Sequence, residues 1–258
     1  MISKMQQVVS RAEWNLARRA LLDREKKLTR LRDEVSRERR ELPWVKVEKP
    51  YAFDAGDGTR TLADLFDGRG QLMVYHFMFG PRWEEGCKSC SFFSDHVDPM
   101  LLHLAHRDVS FAAVSRAPIE RIESFKKRMG WKFPWVSSGR NDFNQDYHVS
   151  PTEQEKAKGK MVHNYGEIDV HLEDLPGLSV FARDAGGGIC HTYSTYARGL
   201  DPLIGAYHFL DLVPKGRDEE GLVHSMSWVR HHDNYGPDYK VDAKSPYVQP
   251  RDVGDCCP

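Results

Sequence analysis

Cys87-Lys88-Ser89-Cys90 places two thiols two residues apart. An apolar run, Leu72 to Phe79, precedes the pair, with only Gly80 to Gly86 between. Such a run, rich in β-prone residues, predicts a buried strand. After the pair, Phe93, Val97, Met100, Leu101 and Leu104 recur at helical spacing, predicting a helix over Ser91 to His106. A Cys pair between a strand and a helix suits thiol–disulfide chemistry. The helix N-terminus, with its partial positive charge and unpaired N–H groups, favours a thiolate at Cys87. Cys90, one turn on, could then close a disulfide. On this reading Cys87 stands in an exposed loop and reacts faster than the other thiols.

Two other readings fit the same residues. Two cysteines at this spacing are half of a zinc site, which Cys190-His191 could complete in space. They could also be inert core thiols. A closed structural zinc site needs four ligands and only two are local, so no metal is expected.

The 258 residues suggest one large domain with appendages or two small ones, and 40% hydrophobic content suffices for a core. A net charge of −1 gives no whole-chain attraction to nucleic acid or anionic membrane. No apolar run reaches membrane-spanning length. Met1 to Ser10 lacks the apolar core of a signal peptide. Five cysteines without a secretory signal fit a reducing cytoplasm. Nothing in the composition calls for a cofactor.

Other elements must position the pair. Ser10-Arg11-Ala12-Glu13 is a capping-box pattern opening a charged helix that Pro43 ends. Within it Leu21, Leu28, Val35 and Leu42 recur every seven residues, and Leu31 adds a second seam position, so a homodimer seam is possible. Trp44 to Phe53 alternates as an entry strand, Asp57-Gly58 marks a turn, and Thr61 could cap a short helix over Leu62 to Phe66. Pro99 is expected to kink the helix after the Cys pair. Val109 to Ser115 reads as a second strand. Pro118 opens a helix with Ile119, Ile122, Phe125 and Met129 on one face and Gly130 as its C-cap. Phe133 to Val136 is a third strand, residues 139–170 read as a surface insertion, and Leu178 to Arg183 with Ile189 to Tyr193 form a hairpin. Leu200 to Leu212 reads as a closing helix. Residues 214–258 read as a tail that wraps the body or a partner. The boundaries are thus 1–43, a helical extension; 44–213, the domain; and 214–258, the tail. The helices that cross between the first three strands make those strands parallel.

This α/β plan, a mixed sheet flanked by helices, resembles the thioredoxin-like fold. Pro176 before Leu178 to Arg183 resembles the proline, usually cis, that faces the Cys pair in those proteins. The chain is similar to the thioredoxin-like family called domain of unknown function 899, often labelled predicted dithiol–disulfide oxidoreductases. The matching phrases are Tyr75 to Gly80, Ala113 to Pro118, Gly130-Trp131, Trp135 to Ser138, and His191 to Gly199. They span roughly residues 10 to 235. The resemblance implies Cys87 and Cys90 as catalytic residues, with Pro176, through a cis Leu175–Pro176 bond, and Trp83 at the substrate-binding face. The partners implied are a protein or small-molecule disulfide and a cellular reductant.

The sequence departs from thioredoxin at the motif itself. Gly86 stands where thioredoxins carry a tryptophan, Trp83 lies four residues before Cys87, and no proline precedes Cys90. Peroxiredoxins share the plan but carry Thr or Ser three residues before the reactive Cys. Here that residue is Glu84, whose carboxylate disfavours a neighbouring thiolate and argues against a thiol peroxidase. A non-catalytic scaffold that keeps the plan, or a Cys-based metal protein, is the remaining alternative. His76 reads as a packed core histidine rather than a base. His103 and His106 read as a solvated pair, and His231-His232-Asp233 is ambiguous. Phe79, Trp83, Trp131, Phe133 and Trp135 read as core. The hydroxyl-rich Thr192 to Tyr196 could line a groove or cap a helix. Cys190 reads as a small buried hydrophobe, and Cys256-Cys257 as a tail thiol pair.

Overall fold

The computed structural model describes residues 7–235. The chain divides into two compact units between Pro43 and Trp44. The first is helix α1 (Arg11–Glu41), opened by the reciprocal capping box in which Ser10 Oγ accepts from the Glu13 N–H and Glu13 accepts from the Ser10 N–H. None of its residues is buried, and Leu21, Leu28, Val35 and Leu42 are solvent-exposed.

The second unit is built on an eight-stranded sheet. Its strands are β1 (Val45–Lys46), β2 (Ala52–Ala55), β3 (Gly58–Thr61), β4 (Gln71–His76), β5 (Val109–Ser115), β6 (Trp135–Ser137), β9 (Gly177–Arg183) and β10 (Ile189–Tyr196). β7 (Lys160–His163) and β8 (Gly166–Asp169) form a separate two-stranded ribbon. The helices are α2 (Lys88–Ser94), α3 (Asp98–His106), α4 (Ile119–Met129), α5 (Phe143–Asp146), α6 (Glu153–Lys158) and α7 (Gly205–Leu210). The sheet order is β1-β10-β9-β4-β5-β6-β2-β3. Strands β4, β5 and β6 are parallel, and β9 runs antiparallel to both β4 and β10. Three parallel strands joined by helical crossovers, followed by an antiparallel hairpin beside β4, make this a thioredoxin-like fold. The expected strand directions therefore hold.

The sheet separates two cores. Alternation along β4 sends Leu72, Val74 and His76 to one face and Met73 and Tyr75 to the other. The first face packs with Phe53, Phe66, Val114, Phe143 and Phe181. The second packs with Phe77, Cys87, Cys90, Phe93, Ile122, Phe125 and Trp135. His76 is therefore on the face away from the Cys pair. Its Nε2 bonds Ser179 Oγ at 2.9 Å, and burial first, then the nearby His191 and His163, push its pKa down to about 3. The core reading of His76 stands.

Several boundaries depart from the sequence reading, each for a local reason. The helix over Ser91 to His106 is two helices, because Pro99 falls in the first turn of α3, where its missing N–H costs nothing. Pro99 starts a helix rather than kinking one. The entry strand Trp44 to Phe53 pairs only at β1 and β2, with Pro50 in between. Within residues 139–170, a second capping box, Thr152 with Glu155, opens α6, and Gly159 in the left-handed region (φ 68°) closes it. Leu200 to Leu212 divides into a 3-10 turn, Ala197–Leu203, and the short α7, since Pro202 interrupts continuous helical bonding. Gly130 closes α4 with φ 71°, as its position predicted. Cys256-Cys257 lies outside the described residues.

Candidate functional site

The Cys pair sits where β4 leaves the sheet. Phe77 extends the strand by one bond, its N–H donating to Val114 O at 2.9 Å. The chain then turns back, so that the Cys87 N–H donates to Met78 O at 3.0 Å. Arg121 holds the outer part of this loop by donating to Pro81 O at 3.0 Å and Trp83 O at 2.6 Å. Cys87 is the N-cap of α2, and Ser91 binds its carbonyl with both N–H and Oγ, each at 2.9 Å. Cys90, one turn on, has its sulfur 3.5 Å from the Met78 N–H, which donates to it. Cys87, Cys90 and Cys190 are thiols, not partners in a disulfide.

Gly86 is required by the packing. A Cβ there would lie 2.6 Å from Phe77 Cε1 and 2.7 Å from Phe125 Cε1, inside two buried rings. This explains why the position beside Cys87 carries no tryptophan. Gly86→Ala is expected to cost about 1–3 kcal/mol, the usual penalty for overpacking a core. A urea melt that leaves stability unchanged would contradict that packing.

The two sulfurs differ in environment. Burial, then the hydrogen bond and charge of Cys87, push the Cys90 thiol well up, against smaller opposing contacts from Tyr75 and the Met78 N–H. The expectation of an exposed Cys87 is wrong: Cys87 is 4% exposed and Cys90 1%. The far end of the described chain reaches the residues on either side of Cys87. Lys88 Nζ donates to Ser227 O at 3.1 Å, and His231 Nε2 donates to Gly86 O at 2.8 Å. Both neighbours of Cys87 are thereby fastened to residues 227–231. Sequence reasoning did not find these contacts. The reading of residues 214–258 as a tail that wraps the body or a partner anticipated that the tail docks, not where.

Pro176 lies at the start of β9, where Gly177 pairs with His76, and so at the end of the sheet from which the Cys loop departs. The Leu175–Pro176 bond is trans, as is every described peptide bond, which corrects the cis expectation. The approach to β9 is fixed by other means: the Leu175 N–H donates to Val149 O at 2.7 Å, and Asp174 is held by Arg116 and Ser150 at 2.6 Å each. With the backbone so held, the ordinary trans preference of X-Pro is not overridden. Trp83 is packed into the core, 6% exposed, and offers little open surface. Phe79, Trp131, Phe133 and Trp135 are core with it, as expected. Cys190 is buried in β10, level through Ala182 with Gln71, the end of β4 opposite to the one from which the Cys loop leaves. Among the described residues no group of three or more His, Cys, Asp or Glu is arranged to hold a metal.

The profile of the family described as bacterial protein of unknown function, DUF899, matches residues 3–235. The chain belongs to this family. Among solved structures it is similar to a peroxidoxin, BcpB, of Mycobacterium tuberculosis, with 12% identity, TM-score 0.38, and coverage of 63% of this chain and 92% of that one. It is similar to a peroxiredoxin Q of Xanthomonas campestris at 16% identity and TM-score 0.41, covering 64% of this chain and 92% of that one. A candidate thiol:disulfide interchange protein, DsbE, of Chlorobium tepidum aligns at 12% identity and TM-score 0.36, covering 64% and 97%. No curated protein matches the chain. The fold assignment for this DUF899 member rests on its strand order. Among its described residues no helix is long and apolar enough to cross a membrane.

Proposed function

We infer that this DUF899 member is a thiol–disulfide oxidoreductase in which Cys87 attacks and Cys90 resolves. The observation that carries the reading is the placement of the pair: Cys87 caps α2 at the end of the β4 loop, and Cys90 lies one turn on, within the helix. A thiolate at the cap of a helix gains from the partial positive charge of the first turn. In the forward direction the Cys87 thiolate attacks one sulfur of a substrate disulfide. The S–S bond breaks, a mixed disulfide forms, and the other substrate sulfur leaves as a thiolate. Cys90 then loses its proton and attacks the Cys87 sulfur, releasing the second substrate thiol and leaving a Cys87–Cys90 disulfide. Two electrons pass from protein to substrate, and an external dithiol or glutathione returns them.

The test is a glutathione redox titration read by mass spectrometry. The Cys87–Cys90 peptide is expected to lose two hydrogens reversibly as the poise becomes oxidising. A pair that stays reduced at every ratio, or mixed disulfides spread over Cys190 as well, would overturn the reading. Peroxide consumption by the same pair, faster than disulfide reduction, would move the assignment to a thiol peroxidase. One zinc per chain, lost on Cys87→Ser, would move it to a metal site.

A further inference from the structure

Thiol exchange needs a substrate sulfur to approach the attacking sulfur along the S–S axis. Neither Cys87 nor Cys90 offers that approach, at 4% and 1% exposure. A strap that leaves α7 and turns reaches both flanks of Cys87, at Gly86 and Lys88. Its base is firm: Glu219 Oε1 accepts from Tyr207 OH at 2.8 Å, the Met226 N–H at 3.0 Å and Trp228 Nε1 at 2.7 Å. Its tip is fastened differently. Val229 and His231 are fully buried. His231 donates to Gly86 O, and its Nδ1 lies 3.5 Å from Glu85 Oε2. Asp233 takes two bonds from Arg128, at 2.7 and 3.1 Å, and Arg128 also reaches Glu85. His232 Nδ1 meets Asp95 Oδ1 at 2.7 Å. The tip is thus held by a few polar latches at the rim and two buried side chains. Upstream, Gly216, Asp218, Gly221 and Met226 all have positive φ, which makes this a run of tight turns.

We propose that residues 229–233 are a displaceable lid beside the dithiol, latched by His231 and Asp233, and that its opening admits the substrate disulfide. The role in exchange rests on the oxidoreductase reading; the shielding of Cys87 does not. The lid fastens to Gly86, the residue before Cys87, so its release uncovers the attacking sulfur first. The resolving sulfur stays below it.

The experiment measures iodoacetamide labelling of Cys87 in the full chain, by peptide mass spectrometry, with buried Cys190 as internal control. His231→Ala removes the Gly86 bond and a buried ring, and Cys87 labelling is expected to rise at least about tenfold with Cys190 unchanged. Asp233→Ala removes only the rim latch, at a side chain 35% exposed and outside both cores. It is expected to raise Cys87 labelling up to about fivefold, the range of a partly exposed ion pair. If His231→Ala unfolds the chain, Cys190 labels too, and Asp233→Ala alone decides. Cys87 labelling in Asp233→Ala that equals the parent protein would overturn the lid. Labelling needs only a thiol at Cys87, so it reads the lid even if the redox titration finds no Cys87–Cys90 disulfide. A lid that fails this test leaves the outcome of that titration untouched.

Discussion

Cys87→Ser is expected to remove disulfide reduction, with a loss of about a thousandfold or more, because a serine hydroxyl at neutral pH cannot replace the thiolate as nucleophile. Cys90→Ser is expected to behave differently. Its Cys87 can still attack, but nothing remains one turn away to resolve, so the mixed disulfide accumulates. Incubation with a small aromatic disulfide, followed by intact-mass measurement, checks both. A covalent adduct should form stoichiometrically on Cys90→Ser and be absent from Cys87→Ser. An adduct on Cys87→Ser instead, carried by Cys90, would reverse the roles. Because Cys90 is the deeper sulfur and its thiol is pushed up by burial, reversal would also mean that the first turn of α2 opens.

Arg116→Ala is expected to be the most damaging substitution away from the cysteines. Arg116, 15% exposed in its side chain, donates to Asp174, which is 2% exposed. Its guanidinium also donates to Glu173 O at 3.0 Å. Removing it strands a buried carboxylate, at a cost of about 3–5 kcal/mol. For a unit of this size that lowers Tm by roughly 10 °C. The pH dependence carries the sign. Burial already raises the Asp174 pKa, against the opposing pull of Arg116 and Ser150. A raised folded-state pKa means the native state binds the proton more tightly than the unfolded chain does. Stability from that group is present below the ordinary carboxylate value and is lost as pH rises through the folded value. Without Arg116 the folded value climbs further, so the variant should be closest to the parent protein in acid and furthest from it near neutrality. Thermal melts across that range check it. A deficit that grows on acidification would mean that the pairing with Asp174 is not what Arg116 supplies. Arg116→Ala combined with Asp174→Asn should recover much of the loss.

What the sequence revealed divides by the range of the contacts involved. The strand β4, the Cys helix, the α4 stripe of Ile122, Phe125 and Met129, and the β9–β10 hairpin were legible because period and punctuation are local. So was the assignment of His76 to a core, since a histidine inside an apolar strand has few other places to go. The Pro99 error was local too: a proline inside a helical pattern also fits the first turn of a second helix, and only the break at Asp95 to Val97 decides between them. That the tail wraps was read from its composition, but its docking beside Cys87 was not legible. His231 meets Gly86 across 145 positions and Lys88 meets Ser227 across 139, and no periodicity in the tail encodes such a docking. Nor was the trans geometry at Pro176, which follows from how Arg116, Ser150 and Val149 fix the preceding residues.

The backbone of Met78 touches both sulfur-bearing residues, one through each of its flanking peptide groups. Its carbonyl receives the Cys87 N–H, and its N–H points at the Cys90 sulfur. Met78 lies two residues beyond the end of β4, the strand central to both cores. Whatever alters the electron density on that sulfur is felt first by an amide in direct line with the middle of the sheet. Chemistry at the Cys90 end of the pair is therefore written into the backbone, so the amide signal of Met78 would register the state of the sulfur without any label on a thiol.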